Sequence, residues 1–422
     1  MSSLLEVQGL KTWFDTVEGT VRAVDDVSFT LGRSETLALL GESGCGKSIT
    51  ALSLTRLVAP PAGRIVAGQV RLQGQDLLEL PESELRRVRG RRIAMIFQEP
   101  QSSLNPVLTV GAQVGEALAG PSTEPNRRTR VIELLRAVGI ADPARRYHEY
   151  PHQLSGGMKQ RAMIAMALAA RPEVLVADEP TTALDVTIQA QILTLLKELQ
   201  AQTGMSILLI THDLGVVAEM ADRVAVMYAG QIVEQAPRRE FFADPQHPYT
   251  RKLFRSLPGR MKRGAALDVI TGSVPSLAQE FRGCRFAARC EQAWELCHTQ
   301  APGWSERTGR GVRCHLYQVT DAGTAAATTP AVAAATAMPV SADGTTLLEV
   351  QDLKVHFPIR QGVLQRVVGQ VKAVDGVSLQ LARGRTLALV GESGCGKTTA
   401  GKAILQLLPA TTGLVRYDGV EL

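Results

Sequence analysis

A glycine-rich loop occurs twice in this sequence, each time between a short apolar segment and a segment of helical pattern. The first copy follows the apolar run 36–40 and consists of Gly41, Glu42, Ser43, Gly44, Cys45, Gly46, Lys47 and Ser48. The second copy consists of Gly391, Glu392, Ser393, Gly394, Cys395, Gly396, Lys397 and Thr398, and Thr399 follows it. The order strand, loop, helix is typical of the phosphate-binding loop, or P-loop. In this loop, backbone N–H groups and a helix N-terminus surround a phosphate. The pattern therefore predicts an α/β fold that binds a nucleoside triphosphate.

Polar side chains at and beyond the first loop suit a nucleotide site. Lys47 is predicted to contact the β- and γ-phosphates, and Ser48 to bind Mg²⁺. The apolar run 174–177 ends in Asp178 and Glu179. Such a pair suits Mg²⁺ binding by the first carboxylate and polarisation of the attacking water by the second. The sequence thus predicts hydrolysis as well as binding.

The repeat extends well beyond the loop. Residues 4–11 recur with few changes at 347–354, and residues 68–74 recur at 413–419. Leu422 corresponds to about Leu77 of the first copy, so the later motifs of a second copy would lie beyond Leu422. The sequence therefore predicts one whole P-loop unit and the N-terminal part of another.

Composition marks the boundaries between these units. Residues 320–346 are mostly Ala, Thr, Pro and Val without amphipathic period, which is typical of a flexible linker. The segment before it is rich in cysteine and is expected to form a separate appendage. The predicted divisions are a first unit at 1–255, a Cys-rich extension at 256–319, a linker at 320–346 and an incomplete second unit at 347–422.

Charge and hydropathy limit the partners. With 46 Lys and Arg against 41 Asp and Glu, the formal charge is +5, close to balance for a chain of this length. The sequence therefore does not indicate a basic tail that would bind nucleic acid. The longest apolar run, Ala162 to Ala170, is about half of the ~18 residues that a membrane-spanning helix needs. We therefore expect a cytoplasmic protein without a membrane-spanning segment or a nucleic-acid partner.

A second anion-binding helix end is predicted at residues 154–161. Ser155 is placed to cap a helix that opens with Gly156 and Gly157, which leaves backbone N–H groups free. Together with the sequences that follow at 174–180, 183–185 and 211–213, this motif resembles the ATP-binding-cassette ATPase family. The resemblance implies a P-loop NTPase (RecA-like) cassette with a helical signature subdomain.

The resemblance also implies the roles of individual residues. Lys47, Ser48 and Asp178 would hold MgATP, and Glu179 would be the general base. Gln98 would reach Mg²⁺ and the water, His212 would be the switch histidine, Asp185 the D-loop aspartate, and Phe14 the aromatic that stacks on adenine. Trp13 stays an alternative to Phe14. In this family two cassettes face head to tail, so Ser155, Gly156 and Gly157 would serve the ATP bound to another cassette.

Residues that hydrolysis does not need mark a branch of the family. The segments 98–106, 247–253 and 283–290 resemble the ATPase subunits of bacterial oligopeptide and dipeptide importers, a group that includes nickel importers. The resemblance implies transmembrane permease subunits that contact the helical subdomain, an extracytoplasmic solute-binding protein, and a place on the cytoplasmic face of the plasma membrane. Two alternatives remain: an ATP-binding fragment that does not hydrolyse, and a soluble cassette ATPase acting on ribosomes or DNA.

Four cysteines fall within the extension, at Cys284, Cys290, Cys297 and Cys314. In a cytosolic protein, such a cluster favours a metal over disulfides. The spacing matches neither a zinc ribbon nor a ferredoxin run. Related importer ATPases with such a tail suggest a [4Fe–4S] cluster, while zinc and reduced structural thiols stay open.

Overall fold

The computed structural model describes residues 3–17, 19–99, 103–118, 124–182, 184–256, 270–307, 309–318, 345–361, 366–392 and 394–422. The described residues divide into two compact units. The first contains the residues up to 182 and from 188 to 318, and the second contains 184–187 and 345–422. Among the predicted features, the linker from 320 to 344, Ser393 and part of the segment 98–106 lie outside the described residues.

Sixteen strands are present in the described residues. They are β1 (Leu5–Thr16), β2 (Gly19–Leu31), β3 (Thr36–Leu40), β4 (Gly63–Leu72), β5 (Gln75–Asp76), β6 (Ile93–Ile96), β7 (Val174–Asp178), β8 (Ser206–Thr211), β9 (Arg223–Tyr228), β10 (Gln231–Pro237), β11 (Ser305–Arg307), β12 (Arg310–Val312), β13 (Thr346–Gln361), β14 (Arg366–Ala382), β15 (Thr412–Tyr417) and β16 (Val420–Glu421).

The α-helices lie between these strands. They are α1 (Lys47–Leu54), α2 (Glu82–Val88), α3 (Val110–Glu116), α4 (Glu124–Ala137), α5 (Pro143–Arg146), α6 (Gly156–Leu168), α7 (Val186–Thr203), α8 (Leu214–Met220), α9 (Arg238–Ala243), α10 (Pro248–Arg255), α11 (Glu295–Thr299) and α12 (Lys397–Ile404). None of the helices in the described ranges is long and apolar enough to span a membrane.

An eight-stranded sheet forms the centre of the first unit. Its order is β11-β12-β10-β9-β3-β8-β7-β6, and the strands from β9 to β6 pair in parallel. Every residue of β3, β7 and β8 is buried. Continuous apolar strands of this kind are typical of parallel sheets covered on both faces. The carboxyl ends of these three strands lie at one edge, where the predicted polar residues follow them.

A second, antiparallel sheet and a group of helices complete the first unit. The antiparallel sheet has the order β2-β1-β4-β5, and its buried residues join α1 and the central sheet in one hydrophobic core. The helices α3, α4 and α6 lie between β6 and β7 in the sequence, and they contact one another. The α/β fold with a helical subdomain, predicted from the motifs, is therefore present.

The cysteine-rich segment corrects the expectation of a separate appendage. Strand β12 pairs with β10 and so extends the central sheet. Phe286 is 1% exposed and packs in the cluster that contains Tyr228 and Tyr249. Residues 270–318 therefore share one core with the cassette, because their apolar side chains and their strand edge both find partners there. The sequence did not predict this arrangement, because β10 and β12 pair although they lie far apart in the chain.

The second unit contains the recurring segment. It has an antiparallel sheet of order β14-β13-β15-β16, with α12 packed on it. Residues 386–390 repeat the sequence of β3 almost unchanged, but the structure assigns them to no strand. The large hydrophobic residues among them are exposed, as shown by Leu387 and Leu389 at 51% each and Val390 at 87%.

Candidate functional site

The first P-loop has the backbone that its glycines predict. Gly46 precedes α1 with φ +104°, and a Cβ there would lie 2.2 Å from the carbonyl oxygen of Ala23. A larger residue would therefore be both strained and obstructed. The loop thus reaches the N-terminus of α1 in the close turn that a phosphate site needs.

Lys47 is held inside this loop. Its side chain is almost fully buried, and its Nζ donates to the carbonyl oxygens of Gly41 at 2.8 Å and Glu42 at 3.0 Å. These two acceptors satisfy part of the ammonium's hydrogen-bonding capacity. The ammonium group of Lys47 is therefore held at the P-loop, where it could also donate to an oxygen of a phosphate bound in the loop.

Asp178 ends β7 as predicted, and it is only 3% exposed. Burial raises the pKa of its carboxyl, as does the neighbouring charge of Glu179, while a hydrogen bond with Ser48 and the charge of Lys47 act in the opposite direction. Its Oδ1 has no hydrogen-bond partner among the described residues. A buried carboxylate oxygen without a partner, beside a serine hydroxyl, suits a hard cation that prefers oxygen ligands.

Glu179 is the centre of a hydrogen-bonded group. Its Oε2 accepts from Gln98 Nε2 at 2.9 Å and from Thr182 Oγ1 at 2.8 Å, and its Oε1 lies 3.0 Å from His212 Nδ1. Its backbone has φ +47°, a conformation that costs energy for a residue with a side chain. The structure thus brings together Gln98, Glu179 and His212, which are 81 and 33 residues apart in the chain.

The environment tunes the Glu179 carboxyl. Burial raises its pKa, but hydrogen bonds from His212, Thr182 and Gln98 and the charge of His212 act against burial. The net result is a pKa below the usual value for glutamate. The side chain is therefore ionised at neutral pH and can accept a proton.

A cleft of about 340 Å³ lies between the P-loop and this group. Its lining comprises Leu40, Gly41, Glu42, Ser43, Gln98, Glu179, His212, Leu214 and Leu253. The loop that would hold a triphosphate and the carboxylate that would activate a water therefore share one cleft.

Other predicted residues lie away from this cleft. Ser155 caps α6 by accepting from the Met158 N–H at 3.4 Å, and its position is exposed. Phe14 packs beside Gly63. The guanidinium carbon of Arg22 lies 5.4 Å from the centroid of the Trp13 ring. Asp185 precedes α7 and is grouped with the second unit. The roles predicted for these residues remain predictions.

The P-loop of the second unit has a similar local geometry. Gly396 has φ +98°, and Lys397 Nζ donates to the carbonyl oxygens of Gly391 and Glu392, each at 2.6 Å. Gly391, Glu392, Gly394 and Cys395 are exposed in this unit. The loop conformation is thus reproduced with far less protein around it.

The four cysteines of the C-terminal segment line one small apolar cavity. Burial is the main cause that raises the pKa of Cys284 to about 11 and of Cys314 to about 12. The cavity is also lined by His247, whose Nδ1 accepts from the Tyr249 N–H and whose buried Nε2 has no partner among the described residues. Within the described ranges, no group of three His, Cys, Asp or Glu side chains is arranged to hold a metal ion.

Comparisons with known proteins agree with the motifs. A family model described as ABC transporter matches residues 24–182 and 374–422. A model described as the C-terminal region of the oligopeptide/dipeptide transporter matches residues 233–297. The dimeric structure of a post-hydrolysis state of the ATP-binding cassette MJ0796, bound to ADP and Pi, superposes with TM-score 0.51 at 28% identity, covering 56% of this chain and 99% of that chain.

Several curated proteins are similar over most of the chain. A probable peptide ABC transporter ATP-binding protein of Sinorhizobium fredii is 52% identical over 74% of this chain and 94% of its own. A dipeptide transport ATP-binding protein of Bacillus subtilis is 50% identical over 75% of this chain and 95% of its own. An oligopeptide transport ATP-binding protein of Mycobacterium bovis is 42% identical over all of this chain and 69% of its own.

The fold, the cleft and these similarities define an ATP-binding-cassette ATPase. The chain belongs to the ABC transporter family, and within it to the ATP-binding proteins of the oligopeptide/dipeptide importers. The family predicted from the signature, P-loop and branch motifs is thereby confirmed, and so is the expectation of an ATP-binding enzyme.

The sequence did not identify three residues that contact the site: Thr182, Tyr249 and Arg289. Thr182 follows Glu179 closely and could have been noticed for its hydroxyl. Tyr249 and Arg289 contact the P-loop residue Glu42 from 207 and 247 residues away. Sequence alone gives no signal for such contacts, because they depend on how the C-terminal segment packs on the central sheet.

Proposed function

We propose that the first unit hydrolyses MgATP to energise the uptake of peptides, or of related small solutes such as nickel, through a membrane importer. The observation that carries this proposal is the contact of Glu179 with Gln98 and His212 beside the P-loop. The names of the relatives, which include peptide and dipeptide transport ATP-binding proteins, support peptides as the cargo.

The first step is phosphate binding at the P-loop. Phosphate oxygens would take the place of the Gly41 and Glu42 carbonyl oxygens as acceptors for Lys47 Nζ. The N–H groups at the start of α1 and the helix dipole would add further stabilisation of negative charge. Lys47 is thereby kept close to the position at which it is needed.

The residues for Mg²⁺ are Ser48, Gln98 and Asp178. Asp178 Oδ1 is buried without a partner, and Asp178 also contacts Ser48, so this donor set fits a hard cation. Bound Mg²⁺ would neutralise charge on the β- and γ-phosphates. Gln98 is already beside Glu179, and so it would link the two functions of the site.

Glu179 would act as the general base. It accepts a proton from water, the oxygen of that water attacks the γ-phosphorus, and the bond between this phosphorus and the bridging oxygen breaks to release ADP. His212 and Gln98 hold the carboxylate in place by hydrogen bonds to its two oxygens. The carboxylate is ready for this step because its pKa is lowered.

We infer that a complete site needs a second cassette, in another chain or in the same one. The N-terminus of α6 at Ser155, Gly156 and Gly157 is accessible enough to contact ATP on such a partner. Asp185 would contribute at the same junction, and Phe14 would stack on adenine. We further propose that the protein binds transmembrane permease subunits at the cytoplasmic face of the plasma membrane. An extracytoplasmic solute-binding protein would deliver the solute to those subunits.

Peptide uptake by cells that lack this protein tests the proposal. Wild-type protein should restore ATP-dependent accumulation of radiolabelled di- and oligopeptides, and Lys47→Ala protein should not. Normal peptide uptake in the deleted cells, together with lost nickel uptake, would assign the metal as cargo. Unchanged uptake of both solutes would contradict the proposed transport role.

We also propose that Cys284, Cys290, Cys297 and Cys314 hold a [4Fe–4S] cluster. In support, the four cysteines line one cavity, and His247, whose buried Nε2 has no partner among the described residues, lines the same cavity. Thiolates are the ligands that iron–sulfur clusters use.

Metal analysis after anaerobic purification tests the cluster. About four iron and four sulfide per chain are expected for the wild type and for the control Cys395→Ser, whose cysteine is exposed in the other unit. Cys314→Ser should lower both values. Stoichiometric zinc, or no metal in protein purified without oxygen, would contradict the cluster.

A further inference from the structure

One arginine of the C-terminal segment reaches the P-loop. Arg289 lies in a short 3₁₀ helix at 287–289 and is only 8% exposed. Its Nη1 lies 3.2 Å from each carboxylate oxygen of Glu42 and 3.2 Å from the Tyr228 hydroxyl. Its Nε donates to the carbonyl oxygen of Thr271 at 3.0 Å. The guanidinium is therefore fixed by several partners at once.

Glu42, the partner of Arg289, is the second residue of the first P-loop. Its N–H donates to the Tyr249 hydroxyl at 3.1 Å, and its carbonyl oxygen accepts from Lys47 Nζ at 3.0 Å. Glu42 lines the same cleft as Glu179. The side chain, N–H and carbonyl of this one loop residue are thus each held by a different partner.

The charge of Glu42 is unfavourable for the ligand of this loop. A carboxylate in a loop that surrounds a triphosphate repels it, and partial burial weakens the screening by water. Its side chain is 28% exposed, and the Arg289 side chain beside it is 7% exposed. The ion pair both offsets the negative charge and keeps the carboxylate turned toward the C-terminal segment.

We propose that Arg289 is a positioning residue that holds and neutralises Glu42, and that the C-terminal segment thereby sets the affinity of the first P-loop for ATP. This inference rests on the ATP site proposed above. It adds a role in nucleotide affinity for the segment 270–318, beside its packing on the central sheet.

The neighbours of Arg289 connect the P-loop with the cysteine-lined cavity. Cys290, the next residue, lines that cavity, as does Phe286. Phe286 also contacts Tyr228 and Tyr249, with ring centroids 5.2 Å and 5.4 Å apart. The cavity and Glu42 are therefore joined by side chains that contact one another: Phe286 packs on Tyr228 and Tyr249, and Tyr249 accepts from the Glu42 N–H.

The same segment offers a matched control. Arg285 has the same side-chain exposure as Arg289, 7%, and it also forms an ion pair, with Asp25. It donates to the carbonyl oxygen of Ala229 rather than to a P-loop residue. Arg285→Met should therefore cost similar stability without removing a partner of Glu42.

The test is a double-mutant cycle on ATP affinity, measured with a fluorescent ATP analogue. Arg289→Met should weaken binding about tenfold, as expected for loss of a charge-assisted hydrogen bond, while Arg285→Met should change it by less than about twofold. In the Glu42→Gln background, Arg289→Met should have an effect of less than about twofold, because the charge that it compensates is gone.

The outcomes separate this inference from the ATP site itself. An Arg289→Met effect of equal size in both backgrounds would overturn it, since Arg289 would then act only as a scaffold. Should Arg289→Met not fold, as judged by its melting transition, Arg289→Lys keeps the charge beside Glu42 and should retain affinity within about threefold. A tenfold loss in Arg289→Lys that persists in the Glu42→Gln background would overturn the inference. Wild-type affinity in Lys47→Ala would instead contradict the proposed ATP site.

Discussion

The two P-loops share a sequence but differ in what surrounds them. Residues 41–47 and 391–397 are identical, and the glycine before each helix has a positive φ, +104° at Gly46 and +98° at Gly396. The strand before the first loop is buried between β8 and β9, and Leu39 within it is 0% exposed. The matching Leu389 is 51% exposed and lies in no strand.

This difference separates local from non-local determinants of the site. The loop and the start of its helix form in both units, because glycine conformation and hydrogen bonds within the loop determine them. The strand requires neighbours, because its backbone groups pair with β8 and β9. The group proposed to carry out hydrolysis requires still more, since Gln98, Glu179 and His212 come from three different parts of the first unit.

The largest effect is expected from Glu179→Gln, which removes the proposed base and keeps the shape of the side chain. ATP turnover by the chain should fall by about 10²–10⁴-fold, while ATP binding should persist. The measurement is phosphate release under saturating MgATP. An unchanged turnover would mean that hydrolysis does not take place at the first site, and would favour the alternative of an ATP-binding fragment.

The next effect compares the two lysines. Lys47→Ala should weaken ATP binding by about 100-fold, because Lys47 is buried and donates to Gly41 and Glu42, which line the cleft beside Glu179. Lys397→Ala should change total binding by less than about twofold, since the neighbouring loop residues are exposed. Equilibrium binding of labelled ATP measures both variants. Equal losses would show that the second loop binds ATP as well as the first.

Sequence patterns predicted the parts of the fold that depend on short segments. The end of β7, the cap at Ser155 and the loop around Gly46 lie where the motifs place them.

Long-range packing accounts for what the sequence did not predict. The C-terminal segment has no strong strand pattern, yet β12 pairs with β10 and Arg289 reaches Glu42. Both contacts join residues that are far apart in the chain, and neither partner has a local signal for the other. The exposed Leu387–Val390 run shows the same dependence in reverse, since a strand pattern without paired neighbours does not form a strand.

A third prediction compares the two apolar runs by stability. Leu39→Ala removes a fully buried side chain from β3 and should lower the free energy of unfolding by about 2–5 kcal/mol. Leu389→Ala changes a half-exposed side chain outside any strand and should alter it by less than about 0.5 kcal/mol. Chemical denaturation followed by circular dichroism measures both units, and tryptophan fluorescence measures the first unit alone, because Trp13, Trp294 and Trp304 all lie in it. Similar losses for both variants would mean that the second run is also packed in solution.

The smallest effect is expected from Thr182→Val, which tests how a neighbouring hydroxyl changes the pKa of Glu179, the proposed general base. Thr182 Oγ1 donates to Glu179 Oε2 at 2.8 Å, and this bond is among the causes that oppose burial and lower the pKa of Glu179. Thr182→Val keeps the shape of the side chain but removes the donor, so the pKa of Glu179 should rise. A base is active only when it is ionised, and the acid limb of the pH–rate profile should therefore move to higher pH. Turnover should fall by at most about tenfold on that limb and should stay near wild type at pH above the transition. A uniform fall at all pH values would show that Thr182 positions Glu179 without altering its ionisation.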